Sequence, residues 1–314
     1  MSASGAPLCP RCGVTRAQTI DCPRCGVIYA KAEARAAAKA SMSTIAGLPS
    51  TSEVIAYAHG PAWEGDAQDA ALELRVRACA IPAALLIAWL AVRSGLGHFL
   101  VRTFASMWVH ETGHAVAAWL CGYPAFPGPW FTPVAEQRSA ILALAFGGTL
   151  ALATLRAWRS ERAGMGAAAA ALLVFQLGCT LLLSPSRARQ FIVFAGDGGC
   201  LVFGALLMAT VYAPRASTIR RGGLRWGFLT IGAMSFADAF AQWWSARADE
   251  DRIPFGHNEG MGLSDPSVLT EVFGWSTHAL VQRYVLLGGA CFAALCIGYS
   301  IGLVRARADA SPGG

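Results

Sequence analysis

Most of this chain consists of apolar runs long enough to cross a membrane. A helix needs about 20 residues to cross the hydrocarbon core. The composition agrees, because 55% of the 314 residues are hydrophobic and only 14% are charged, against about 25% charged in a typical soluble domain. We therefore predict an all-α, multi-pass membrane protein with six or seven transmembrane helices. The apolar runs lie at 76–92, 99–121, 139–158, 166–184, 190–213, 224–244 and 279–304.

These runs define the largest of three predicted zones, a polytopic membrane domain at 73–308. Before it come a cysteine-rich segment at 1–30 and a linker at 31–72 that contains Ser, Gly and Pro. The first 30 residues lack the apolar stretch of a cleavable signal peptide. We expect an integral protein of the inner (plasma) membrane of a bacterium.

The charge distribution bears on orientation and on partners. The net charge is +6, and the arginines mostly flank the apolar runs, which is typical of membrane anchoring and disfavours nucleic-acid binding. The positive-inside rule places the arginine-rich loops at 156–162 and 215–225 in the cytoplasm. With a cytosolic N-terminus and seven simple crossings, those loops would lie on the opposite side. We therefore expect one run to be re-entrant, broken or non-spanning.

Two copies of Cys-Pro-Arg-Cys-Gly stand near the N-terminus. They supply Cys9 and Cys12, then Cys22 and Cys25, and four thiolates at this spacing are typical of a structural zinc site. The alternative is two disulfides or free thiols. We interpret the segment as a zinc ribbon whose metal supplies its folding energy. Thiolates kept for zinc indicate a reducing compartment, so we expect a cytosolic N-terminus, with the ribbon as a docking module for a protein partner.

The run at 99–121 carries the sequence His-Glu-Thr-Gly-His. His110 and His114 are one helical turn apart, so both imidazoles can bind one zinc ion. Glu111 is rotated around the helix and can act as the general base on a water molecule. Ionisable residues in a membrane helix cost about 2.5–3.5 kcal/mol each and usually mark function. The alternative is a solvated helix end at the membrane interface.

A catalytic zinc usually has three protein ligands, so a third must come from elsewhere in the chain. Asp197 is the preferred candidate, because the glycines around it allow close approach of a metal. Asp238 is the second candidate, although it could instead pair with an arginine. Loop residues are the remaining candidates: Glu259, His257 and Glu271.

Taken together, the motif in one apolar run and the Asp-Gly-Gly in a later one resemble the site-2 protease family of intramembrane zinc metalloproteases. The resemblance covers roughly 99–213. It implies zinc bound by His110, His114 and Asp197, with Glu111 as the base. It also implies a polytopic helical core and cleavage of membrane-anchored substrate proteins.

The chain departs from that family at one motif. The family has an Asn-Pro pair a few residues before its Asp-Gly, whereas the nearest equivalent here is Ser184-Pro185, with Pro185 twelve residues before Asp197. The asparagine that helps to position substrate has no counterpart. The resemblance therefore leaves substrate positioning open, and a degenerate or divergent member remains an alternative.

Two loops bear on how a substrate would reach the site. The segment at 122–137 contains four prolines, which exclude a continuous helix. It could offer an edge strand to an unwound substrate, or it could be a plain interfacial loop. We interpret 255–267 as an ordinary extramembrane loop, with a lid as the alternative.

The sequence favours one function over two others. We predict an intramembrane zinc endopeptidase that acts in regulated intramembrane proteolysis, with one catalytic and one structural zinc. The alternatives are a non-catalytic membrane metal-binding scaffold or transporter, and a zinc enzyme that acts on a lipid. Glu111 argues for catalysis, since a structural metal site does not need a general base.

Overall fold

The structure is a computed structural model. The predicted linker lies largely outside the residues that it describes, as does Glu259. The chain divides into two compact units, Met1–Asp66 and Ala67–Gly314. The described residues are 8–9, 12–16, 19–33, 64–213, 217–219, 223–258 and 262–310.

Helices form nearly all the regular structure of the described part of the second unit. Two of them are linked by a π-helical turn at Val101–Ser106, and a second π-helical turn follows at Val268–Val272. The helices are α1 (Glu64–Arg93), α2 (Gly95–Leu100), α3 (Met107–Leu120), α4 (Ala140–Arg159), α5 (Ala163–Leu181), α6 (Pro185–Ala209), α7 (Leu224–Ala246), α8 (Asp265–Ser267) and α9 (Thr277–Ala310), with short 3₁₀ turns at Thr210–Tyr212 and Glu250–Arg252.

Local sequence signals explain where several helices begin and end. Ser139 and Ser184 are the N-caps of α4 and α6, and each side chain accepts a backbone N–H from the first turn. At the C-terminal end of α3, Gly122 adopts a left-handed φ of 80°. The N–H of Tyr123 then donates to Ala118 O at 2.8 Å, which closes the helix in a Schellman motif.

Within the described residues, five helices are long and apolar enough to cross a membrane, which is consistent with a multi-pass membrane protein. Helix α6 is the most buried of these five, since 61% of its most apolar stretch is buried against 11–17% in the other four. The exposed faces of those four carry large apolar side chains. The five spans are Ala71–Arg93, Ala140–Arg159, Ala163–Leu181, Pro185–Tyr212 and Thr277–Arg307.

Two of the seven predicted runs fall outside this set. Residues 99–121 and 224–244 are helical, but they carry polar groups that lower their hydropathy. The first run holds Arg102 and the His-Glu-Thr-Gly-His motif, and the second holds Asp238. The first of these runs thus carries the two histidines of the candidate site.

Helices α3 and α6 cross at a pair of glycines. A Cβ on Gly199 would lie 2.6 Å from the Cα of Gly113, and a Cβ on Gly113 would overlap the backbone oxygen of Ala195. Small residues let two membrane helices approach this closely. The crossing lies between His110 and His114, so it brings both histidines against α6.

In the described part of the second unit, two short antiparallel pairings lie outside the helices. Ala125 bridges Val134 in the proline-rich segment after α3, which makes that segment hairpin-like. Between α7 and α9, strands β1 (His257–Asn258) and β2 (Gly262–Leu263) form a second hairpin. The chain enters α8 directly after β2.

A candidate metal centre

The two histidines of α3 meet edge-on in the interior of the bundle. Their ring centroids are 4.8 Å apart, and the Nε2 atoms of His110 and His114 are 3.2 Å apart. The His-x-x-x-His spacing produces this geometry, because residues four apart project from the same face of a helix. His110 is buried and His114 is partly buried.

The second nitrogen of each imidazole is already hydrogen-bonded. Nδ1 of His110 donates to Asp197 Oδ1 at 2.9 Å, and Nδ1 of His114 donates to the backbone oxygen of Ile192 at 2.7 Å. Because a carbonyl oxygen only accepts, the proton of a neutral His114 lies on Nδ1. Metal-binding histidines usually make such a bond with the nitrogen that does not bind the metal. Both Nε2 lone pairs are left facing each other.

A carboxylate that the sequence did not single out completes the group. Oδ2 of Asp265, at the start of α8, lies 3.1 Å from Nε2 of His110 and 3.1 Å from Nε2 of His114. This oxygen is buried and accepts no hydrogen bond from the described residues. His110, His114 and Asp265 therefore form a set of side chains that could hold a metal ion.

The spacing of these three donor atoms fits zinc. Metal–ligand bonds of about 2.0–2.1 Å in a tetrahedral site place neighbouring donors about 3.3 Å apart, and the three atoms here are 3.1–3.2 Å apart. Two imidazole nitrogens and one carboxylate oxygen are also a donor set that catalytic zinc uses.

Electrostatics favour the ionised form of Asp265. Burial opposes ionisation, but when no metal is bound and the adjacent imidazoles are protonated, their positive charge outweighs it and lowers the pKa of the carboxyl below its usual range. A metal cation at the same point would act in the same direction. Asp265 is therefore a carboxylate at neutral pH, which is the form that binds metals.

Asp197, the preferred third ligand from sequence, lies beside His110 but at Nδ1. Its Oδ2 accepts a hydrogen bond from Trp243 Nε1 at 2.9 Å, and Arg102 Nη1 lies 3.6 Å from Oδ1. Among the described residues it forms no ion pair with His114. His110, Asp197 and Cys200 do form a second group that could hold a metal ion.

The other acidic and histidine candidates lie apart from both groups. Asp238 is fully buried and accepts a hydrogen bond from Arg102 at 3.2 Å, with His98 Nε2 3.2 Å from its other oxygen. The pairing with an arginine is the alternative that the sequence left open for Asp238. His257 and Glu271 are exposed, and neither belongs to a metal-binding group of the described residues.

Glu111 shares a cavity of about 380 Å³ with His110, His114 and Asp265. Its side chain is buried, and Oε2 lies 2.7 Å from the hydroxyl of Thr132. Thr132 belongs to the hairpin-like segment after α3. The hairpin thus contacts the carboxylate that the sequence predicts to be the base.

Three of the residues around the centre were missed by sequence reasoning. Arg102 interrupts an apolar run and could have been recognised as a functional signal. Asp265 stands between Ser264 and Pro266, a common start for a helix, but nothing local indicates that this turn meets α3. Trp243 gives no signal in the sequence.

The four N-terminal cysteines come together in the first unit. The Sγ atoms of Cys9 and Cys25 are 3.8 Å apart, those of Cys12 and Cys22 are 3.6 Å apart, and all four lie within 4.8 Å of one another. Ligands in a tetrahedral zinc–thiolate site are about 3.8 Å apart. These four side chains could hold a metal ion.

The two cysteine turns have the same backbone structure. Gly13 N–H donates to Cys9 O at 2.9 Å, and Gly26 N–H donates to Cys22 O at 2.8 Å. Both glycines have positive φ, of 70° and 65°. In the second turn, the backbone N–H of Arg24 lowers the pKa of the Cys22 thiol to about 6, which favours the thiolate that binds metal.

Comparison with known proteins gave no match. No protein-family model matches the sequence. No curated protein matches it, and no solved structure matches the fold. The resemblance to the site-2 protease family rests on the motif residues of the chain itself.

Proposed function

We propose that this chain is an intramembrane zinc endopeptidase that hydrolyses peptide bonds of membrane-anchored proteins in regulated intramembrane proteolysis. The proposal rests on one observation. The Nε2 atoms of His110 and His114 lie 3.2 Å apart and border a cavity that Glu111 also lines. Two metal ligands and a carboxylate in one pocket are what an HExxH hydrolase needs.

Glu111 is the proposed general base. Bound zinc would supply the Lewis acid, lowering the pKa of water to about 7 and polarising the scissile carbonyl. Glu111 would accept a proton from the attacking water and return it to the leaving amine nitrogen. The hydroxyl of Thr132, 2.7 Å from Oε2, fixes the carboxylate for both transfers.

The hairpin-like segment after α3 is the proposed substrate-binding edge. Thr132 and Val134 both line the cavity, and among the described residues neither forms a backbone hydrogen bond. A peptide must leave its helical conformation before its carbonyls are accessible. An unwound stretch could pair with this edge as an added strand. Transmembrane segments with weak helix formers near the cut would therefore be preferred.

The four cysteines and the apolar helices support the remaining parts of the proposal. The cysteine group would hold a structural zinc in a cytosolic ribbon that docks a protein partner. The five apolar helices would place the catalytic centre within the bilayer, in the inner membrane of a bacterium. The thiolate ligands favour a reducing compartment for the cysteine group, and the length and hydropathy of the helices support a location in a membrane.

A comparison of the wild-type chain with Glu111→Gln tests the enzyme. Both would be expressed in a bacterial host, and new protein termini in the membrane fraction would be identified by mass spectrometry. We expect the wild type to create termini within single transmembrane segments. Glu111→Gln should reduce them by about 10²-fold or more without loss of zinc. Glu161→Gln is the matched control, since this glutamate is exposed in the turn between α4 and α5 and does not line the cavity, and it should cleave normally.

The outcomes separate the three functions. Absence of new termini from a zinc-loaded wild-type chain contradicts the peptidase. Release of fatty acid or headgroup from lipids, lost in Glu111→Gln, identifies a lipid-directed enzyme instead. Zinc binding without either activity identifies a metal-binding scaffold or transporter.

A further inference from the structure

We propose that the two aspartates near the histidines have separate roles: Asp265 is the third metal ligand, and Asp197 positions His110 from outside the coordination sphere. This inference deepens the proposed function, because it concerns the same metal centre. It does not require that the substrate is a peptide.

The first argument is the state of the three facing atoms. In the neutral imidazoles that bind metals, the hydrogen bonds at Nδ1 leave the Nε2 atoms of His110 and His114 as acceptors. The buried Oδ2 of Asp265 lies 3.1 Å from both and receives no hydrogen bond from the described residues. Three acceptors this close, one of them charged, are stabilised by a cation between them. A zinc ion provides that charge for all three atoms at once.

The second argument is that Asp197 already has a full set of partners. It accepts hydrogen bonds from His110 Nδ1 and Trp243 Nε1, and the guanidinium of Arg102 is nearby. A carboxylate that binds the nitrogen opposite the metal fixes the tautomer and the ring orientation of a metal-binding histidine. Asp197 occupies that position on His110.

The third argument is that one ion cannot use both aspartates together with both histidines. Asp197 is at Nδ1 of His110, whereas the only available nitrogen of His114 faces Asp265. A metal bound to Asp197 would therefore need Cys200 as its further ligand and would exclude His114. The His110–His114–Asp265 group uses the whole HExxH motif.

Zinc affinity of the full-length protein in detergent tests the assignment. The protein would be equilibrated with chelators of graded strength, and bound zinc would be measured by elemental mass spectrometry, with the ribbon zinc as an internal reference. Asp265→Ala should lose the zinc of the histidine site under conditions in which the wild type retains it. Asp197→Asn should bind it about 10–100-fold more weakly. Asp249→Asn is the matched control, because this exposed acid lies on the same connection, and it should bind normally.

Two further variants keep the test independent of folding. Asp265→His should restore zinc binding by supplying another ligand, whereas Asp197→His should not. Cobalt(II) substitution adds a spectroscopic signature, since Asp265→Ala should alter the visible spectrum of the centre and Asp197→Asn should leave it unchanged. Retention of zinc by Asp265→Ala, or its loss in Cys200→Ser, overturns the assignment in favour of the Asp197 group. Neither result bears on whether the wild type cleaves peptides. Conversely, absence of cleavage would contradict the proposed function but not the ligand assignment.

Discussion

The two candidate metal centres are built in opposite ways. In the predicted ribbon, Cys9 and Cys25 are the outermost candidate ligands and are separated by 16 positions. In the bundle, His110 already lies 87 positions from Asp197, and Asp265 lies farther along the chain. The ribbon site is a local feature of the sequence, whereas the bundle site exists only because distant elements pack together.

The relation between metal and fold differs in the same way. Among the described residues of the first unit, the buried apolar ones are Cys9, Cys22 and Tyr29, so this part of the chain has almost no core apart from its cysteines. The second unit has two extensive clusters of buried apolar residues around α6. We therefore expect metal to fold the ribbon, and the folded bundle to create its own metal site.

Removal of ribbon ligands is the prediction with the largest effect. Structural zinc contributes about 10–16 kcal/mol to the folding of small zinc domains. The double substitution Cys9→Ser and Cys22→Ser should abolish one bound zinc and unfold the ribbon. Tryptic cleavage after Arg16 and Arg24 would then become rapid, while the bundle keeps its zinc and its melting temperature.

The matched control for this experiment uses two exposed cysteines of the bundle. Cys79→Ser and Cys296→Ser should change neither zinc content nor proteolysis, since both side chains are exposed. The converse variant, His110→Ala with His114→Ala, should remove the other zinc and leave the helices folded. Unfolding of the bundle in the double histidine variant would contradict the claim that the bundle folds without its metal.

Substitution of Gly113 should have the next largest effect. A side chain at Gly113 would overlap the backbone of Ala195 and separate α3 from α6. Overpacking of this kind costs about 1–3 kcal/mol. It should also weaken zinc binding, because His110 and His114 take their Nδ1 partners from α6. Thermal unfolding in detergent and zinc titration of Gly113→Val measure the two effects.

Gly148→Val is the control for helix propensity. Gly148 is exposed within α4, and a Cβ there would meet nothing within 4 Å. This variant should retain wild-type zinc affinity. If the two valine variants bind zinc equally well, the glycine crossing does not set the geometry of the site.

The contrast between a local and a nonlocal metal site also explains which parts of the fold and the site the sequence could predict. The length of the apolar runs predicts the five described helices that could cross a membrane, and the spacing of the cysteines and histidines predicts which of these side chains come together. These signals are local. Asp197 was expected near the histidines and does contact His110. Its contact with Nδ1 depends on how α6 is rotated against α3, which no local pattern defines.

Asp265 shows the limit more clearly. It follows a hairpin in a connection that the sequence marks as an ordinary loop, and the short turn that carries it has no apolar periodicity. Its place at the histidines depends on the packing of α8 and of the π-helical turn Val268–Val272 against α6. A carboxylate in a loop is usually solvated, so its residue type alone could not distinguish Asp265 from its acidic neighbours.

The smallest predicted effect concerns the support behind Asp197. Trp243 is fully buried, stacks on Tyr284 with centroids 4.1 Å apart, and donates Nε1–H to Asp197 at 2.9 Å. Trp243→Phe keeps an aromatic face but removes this donor. Zinc affinity should fall only a few-fold, less than the 10–100-fold range for a direct partner of a ligand, since Arg102 and His110 still hold the carboxylate.

Trp244→Phe separates this effect from the loss of ring volume in general. Trp244 is the next residue on α7 and is 52% exposed, so its replacement should leave zinc affinity unchanged. A ribbon ligand needs no such support from a distant helix, because its neighbours in sequence orient it. A few-fold loss in Trp243→Phe alone would therefore show that the bundle centre is held by tertiary contacts two side chains from the metal. If both tryptophan variants bind zinc equally well, zinc affinity depends on Asp197 and its charged partners and not on Trp243.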